Sequence, residues 1–244
     1  MSDRHWQRSA LATSALALIG AAAVTGCGGG GSASSTPPAG TPAGTSSVTP
    51  IPYTSAQLRS ALLDRVNGEK PAAAAEAGDY GSLPDVATSK STMNGVKVTP
   101  SKCATASSTG FNSASFTKAP ASVVTFRVGR DGVSEVLVSA TPGLASSALA
   151  DSLPAGCEHY SATVDGKTFN YSVRESSLSG LASQARALNV KAAGYAEVDV
   201  WSIVYRGAGF VGAITMVGPD ASEAGAKQLA LESFTHASQA LAQP

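Results

Sequence analysis

Few groups in this chain could carry acid–base or nucleophilic chemistry. Of its three histidines, His5 lies in a basic leader that processing would remove. A Ser/His/acid arrangement would therefore recruit His159, between Glu158 and Tyr160, or His236, near the C-terminus. No Gly-x-Ser-x-Gly elbow presents a serine to either. Glu197 and Asp199 stand two apart, which on a strand sets two carboxylates about 7 Å apart on one face. That separation can serve an acid/base pair, although carboxylates at a strand entrance are usually solvated. Gly207-Ala208-Gly209-Phe210-Val211-Gly212 has the letters of a dinucleotide-binding turn. The fingerprint requires a helix N-terminus next, to meet the pyrophosphate, whereas Ala213-Ile214-Thr215-Met216-Val217 reads as a strand. The hexapeptide is expected to be a hairpin turn with close-packed glycines. Zinc is poorly served, because two isolated cysteines and two mature histidines give no ligand spacing. The chain is expected to bind no metal or cofactor and not to be an enzyme.

The cysteine with a local signature is Cys27. Arg4 and Arg8 precede an uncharged stretch from Ser9 to Val24, which is shorter than the roughly 20 apolar residues a membrane span needs and suits the core of a cleaved export signal. Val24-Thr25-Gly26-Cys27 then resembles the lipobox of bacterial lipoproteins, in which the thiol forms a thioether to a diacylglyceryl group and becomes the new N-terminus. Acyl chains on Cys27 would anchor the protein to the outer face of the cell membrane. Residues 28–50 are Gly, Ser, Thr, Pro and Ala apart from Val48, too small and polar to bury a core. They read as a flexible tether with a reach of roughly 25–30 Å. With Cys27 committed to lipid, Cys103 and Cys157 remain as an even pair in an oxidising compartment, and a disulfide between them is expected.

The elements that must position these groups follow from composition and period. With 17 Lys+Arg against 17 Asp+Glu and no basic run, the chain lacks the field that a phosphate backbone requires, so nucleic acid is set aside. Thr54 and Gln57 fit a capping box, and Leu58, Leu62 and Val66 share a spacing of four, so a helix is expected over 55–67 with Asn67-Gly68 as its stop. Residues 69–100 carry no sustained period and read as an irregular arm leading to Cys103. Alternation then marks three hairpins. The first runs through Val124, Phe126 and Val128, turns at Arg130-Asp131-Gly132 and returns through Val136 and Val138. The second flanks Asp165-Gly166, and the third joins Glu197–Arg206 to Phe210–Val217. A short helix is expected after Thr141-Pro142, and a longer one over 221–242 that starts at Asp220 and Glu223. Residues 176–194 fit either a loop or a short helix. The result is an α+β fold: roughly six antiparallel strands in three hairpins, with helices packed on one face.

The order of these pieces resembles a family. A lipobox, a Thr/Pro/Gly tether, a helix, Pro100-Ser101-Lys102-Cys103, Leu153-Pro154-Ala155-Gly156-Cys157, and Trp201-Ser202-Ile203-Val204-Tyr205-Arg206 facing Phe210-Val211-Gly212-Ala213-Ile214 are similar to actinobacterial lipoproteins with a PknH-like extracellular sensor domain. The resemblance covers residues 50–242 and implies an antiparallel sheet with flanking helices and a ligand groove. The chain departs from the family in having one possible disulfide where the kinase sensor domain has two. Three segments result: a signal peptide over 1–26, lipidated Cys27 with its tether over 27–50, and one sensor-like domain over 51–244. The function expected is a lipid-anchored extracytoplasmic binding module for a small apolar ligand. An envelope protein docking on its surface is the alternative, and a hydrolase built on His159 or His236 is a third reading. Period two and a turn at Ala208-Gly209 place Trp201, Ile203 and Tyr205 on one face, with Ile203 opposite Ile214 and Trp201 opposite Met216. This apolar face is either core under the C-terminal helix or, in the sharper reading, part of a ligand groove.

Overall fold

Asp165 and Gly166 both take positive φ, 49° and 75°, which is the geometry that lets a two-residue turn match the twist of its flanking strands. The computed structural model, which describes residues 53–150, 152–181, 184–193 and 198–242, contains that hairpin and both others. The leader, Cys27, the tether and Glu197 lie outside the described residues. The strands are β1 (Glu76–Asp79), β2 (Lys97–Thr99), β3 (Pro120–Val128), β4 (Asp131–Ser139), β5 (His159–Val164), β6 (Lys167–Ser177), β7 (Ala185–Ala193), β8 (Val198–Arg206) and β9 (Phe210–Val217). They form one antiparallel sheet in the order β1-β3-β4-β9-β8-β7-β6-β5-β2.

The sheet thus has nine strands where six were expected. β1 and β2 fall within the arm expected to be irregular, and both are too short to show alternation. β7 occupies the segment that fitted a loop or a helix; its residues from Arg186 to Val190 are all buried, so no period of two marks it. The first hairpin turns at Gly129-Arg130, one residue earlier than expected, because Gly129 supplies the positive φ.

Among the described residues five α-helices accompany the sheet: α1 (Ser55–Ser60), α2 (Pro84–Met93), α3 (Ala114–Thr117), α4 (Pro142–Ala150) and α5 (Glu223–Leu241). Thr54 and Gln57 close a reciprocal capping box on α1. The helix ends at Ser60 and not at 67, since Asn67 and Gly68 adopt positive φ as a tight turn between the bridged residues Val66 and Glu69. Ser222 caps α5 through its hydroxyl, which accepts from the Gly225 N–H, while Asp220 is held by Arg130 instead.

The helices lie on both faces of the sheet, which corrects the one-sided arrangement. On the first face, Leu58 of α1 and Ala226, Leu229, Ala230 and Ala237 of α5 pack against Val124, Phe126, Val133, Ile203 and Ile214. On the second, Phe116 of α3 and Ala145 and Ala148 of α4 cover Val138, Val204, Val211 and Ala213. The arm continues that second cover over β5–β8, through Val96 and Val98.

Candidate functional site

The third hairpin has the register read from its turn: Trp201 pairs with Met216, Ile203 with Ile214 and Tyr205 with Gly212. The face they share is core. Ile203, Tyr205 and Ile214 are fully buried beneath α5, Met216 is nearly so, and Trp201 packs partly buried at its edge. Two aromatics and three aliphatic chains on one face need a cover, and α5 supplies an apolar stripe of matching length. The five residues expected to line a groove therefore meet a helix, and none of them lines either of the two cavities found among the described residues.

Nothing in the pattern of β4 singled out Glu135, yet it is completely buried within that core. Its Oε2 accepts the Leu63 N–H at 2.8 Å, its Oε1 accepts the Ser233 hydroxyl of α5, and the Tyr205 hydroxyl meets Ser233 in turn. Burial pushes the Glu135 carboxyl up to about 7, against which the two hydrogen bonds pull it down. Burial, and then the neighbouring Glu135, hold the Tyr205 phenol well above its ordinary value. The group links three elements, and its buried polar atoms find their partners in one another.

On the second face the disulfide is formed: Cys103 and Cys157 have Cα atoms 5.4 Å apart and are buried. Beside it lies a cavity of about 30 Å³ between the arm and the sheet, lined by Val98, Ser107, Tyr160, Tyr171 and Val200 among others. The rings of Tyr160 and Tyr171 stack at 4.9 Å, and the Tyr171 hydroxyl is buried without a hydrogen-bond partner. Burial, reinforced by Tyr160, pushes the Tyr171 phenol up to about 12. This space holds a water or two and nothing larger.

The larger opening, about 720 Å³, lies between α4 and the ends of β6 and β7. Leu149 and Ala150 form one wall, Ser176, Ser177 and Leu178 another, and Arg186 lies among the lining residues. Arg186 donates to Glu175 at 2.9 Å and to the Ser108 carbonyl at 3.2 Å, and Glu175 also accepts the Leu153 N–H at 2.8 Å. The salt bridge joins β6 to β7, and its two members hold the segments beside the disulfide by hydrogen bonds to Ser108, after Cys103, and to Leu153, before Cys157. No simple sequence signal pointed here, because an Arg within β7 reads as a solvated side chain until both faces of the strand are known to be covered.

The histidines stand apart, His159 exposed on β5 and His236 half-buried on α5. Asp199 is engaged by Lys191 at 3.2 Å and by the Asn189 amide at 2.6 Å. Among the described residues no three His, Cys, Asp or Glu side chains gather as a metal site, and no helix is long and apolar enough to cross a membrane. The glycine hexapeptide is a hairpin turn, with Gly209 at φ +80°.

No family model matches the chain, and no curated protein sequence matches it. Among solved structures, the extracellular domain of PknH from Mycobacterium tuberculosis is similar at a TM-score of 0.53 and 13% identity, covering 78% of this chain and 99% of that one. At that identity the likeness shows a shared fold. An uncharacterized protein from Mycobacterium smegmatis, an Rv0999 ortholog, matches at a TM-score of 0.37 and 15% identity over 69% of this chain and 84% of its own, a score at which a shared fold does not follow.

Proposed function

We propose that this chain is an extracytoplasmic, sensor-like binding module without catalytic activity, held to the membrane by lipid on Cys27, with the open cleft beside α4 as its ligand site. The observation that carries the reading is the cleft: about 720 Å³ is the size of a small-molecule pocket, and its walls combine the apolar Leu149, Ala150, Leu178 and Ala185 with six polar or charged residues. The fold shared with the extracellular part of PknH supports an extracytoplasmic role, as does a buried disulfide, which persists in oxidising compartments. An exposed docking face has less behind it, since Leu231 is the one large apolar side chain that stands well exposed among the described residues.

Native mass spectrometry of the protein purified from its host envelope tests the reading. A small adduct is expected on the unmodified chain and its loss on Ala150→Trp, which fills the cleft from α4. An adduct that survives Ala150→Trp would move the site elsewhere. Cys27→Ser is expected to leave the protein unprocessed or to shed it into the medium, and a variant still processed and membrane-bound would remove the lipid anchor.

A further inference from the structure

Arg186 and Arg206 project from neighbouring strands onto the same face of the sheet. The register pairs Arg186 with Val204, and the Arg206 N–H bonds the Gln184 carbonyl at 3.1 Å, so the two arginines are diagonal neighbours at the end of the β7–β8 ladder. Their charges are differently settled. Arg186 has its carboxylate, and both oxygens of Glu175 are occupied, one by Arg186 and the other by the Leu153 N–H. Arg206 reaches two neutral groups that line the cleft, the Ser146 hydroxyl at 3.2 Å and the Gln184 side-chain carbonyl at 3.5 Å. Among the described residues no carboxylate forms an ion pair with it. Among the described residues, the rim of the cleft therefore carries one guanidinium without a carboxylate partner.

Arg186 adds a second unmet demand. Its side chain is only 7% exposed, yet its Nε is buried without an acceptor. A buried cationic donor left unpaired is costly, and natural structures keep such donors rarely. The lining also holds apolar side chains, Leu149 and Ala150 on α4 and Leu178 and Ala185 at the hairpin end.

We propose that the cleft takes a small amphipathic anion, its carboxylate or phosphate head on Arg206 over the Arg186–Glu175 pair and its apolar part along Leu149 and Leu178. This inference rests on the cleft being the ligand site. A planar guanidinium matches a two-oxygen head, and Leu149 and Leu178 give the tail a surface to bury. Specificity follows from the same geometry, because a neutral analogue of equal length leaves Arg206 as it is without the ligand.

Leucine methyl NMR on the full chain, titrated with octanoate, octanamide and inorganic phosphate, tests the inference. Octanoate is expected to shift the Leu149 and Leu178 methyls and to bind at least tenfold more tightly than octanamide. Arg206→Gln should erase that preference, and Arg206→Lys should retain part of it. Equal binding of octanoate and octanamide at these methyls would keep the cleft as the ligand site and overturn the anionic class. No shift there with either probe would overturn both readings. Displacement of octanoate by inorganic phosphate at equal concentration would assign a free anion and overturn the amphipathic part. Because the comparison of probes uses the unmodified chain, it stands even if Arg206→Gln fails to fold.

Discussion

Glu135 is where one side chain decides the most. An ionised carboxylate sealed between a sheet and two helices loses its hydration, and two donors restore only part of it, so its folded-state value of about 7 stands above the 4.5 of an unconstrained glutamate. The sign follows: between those values the folded chain holds a proton that the unfolded chain releases. The stabilisation is complete below about pH 4.5 and is lost as pH rises through about 7, by about 3 kcal/mol in all. The groups that face it from the surrounding elements, the Leu63 N–H, Ser233 and the Tyr205 phenol, do not offset this, since the phenol stays neutral throughout. Urea midpoints should therefore fall between about pH 5 and about pH 8, and Glu135→Gln should flatten that difference. An unchanged pH profile in the glutamine variant would place the dependence on another group. Ser233→Ala leaves both Glu135 and Tyr205 short of a partner and should cost about 1–3 kcal/mol. Val133 and Leu137 flank Glu135 on the same face, but what satisfies the carboxylate stands 72 residues before it and 98 after it, and no local pattern reveals partners at those distances.

Among the elements, the β8–β9 hairpin was legible down to its register, because two arms rich in Val, Ile and aromatics flank a glycine turn, where Gly209 can take φ +80° at which a side chain would be strained. One glycine in it has a different task. Gly212 pairs with Tyr205, and a Cβ placed there would stand well inside contact distance of the Tyr205 ring and hydroxyl. Gly212→Ala should therefore push that ring away from Ser233 and cost about 1–3 kcal/mol, read as a lower thermal midpoint; an unchanged midpoint would mean that the ring shifts freely. β7 was illegible for the converse reason. It lies in the middle of the sheet, both of its faces are covered, and its Ala, Leu and Val residues fit a helix as well as a strand until β6 and β8 are paired to it. The open cleft shared this obscurity, since Arg186 belongs to β7 and its neighbours Arg206, Glu175 and Ser146 come from three other elements.

In the whole molecule, the two shortest strands close the two ends of the sheet. β1 and β2 follow each other in sequence yet stand at opposite edges, eight strand spacings or about 38 Å apart along the sheet. The connection between them, with α2, crosses the second face, where Tyr80 and Val86 rest on one apolar cluster and Val96 and Val98 on the next. α2 itself buries no residue fully, and Leu83, just before it, anchors only the near end of the crossing in the core. What fixes its far end is β2, only three residues long, and the disulfide that follows four residues later. Closing 54 residues is worth about 4 kcal/mol on the chain-entropy account. The stabilisation should also be unevenly distributed, because α1 and α5 cover the β4-β9-β8 centre on one face and α3 and α4 on the other, with only the near part of the crossing, Tyr80, Leu83 and Val86, joining that cover. Replacing Cys103 and Cys157 together by Ala should accelerate amide exchange at Lys97–Thr99 and in the crossing by more than tenfold, with β9 losing only the shared global stability. Uniform acceleration across all nine strands would show that the crossing is a cooperative part of the core. The expected pattern, an exchange-prone band running from one sheet edge to the other, would instead make the disulfide the clasp of an otherwise lightly held segment.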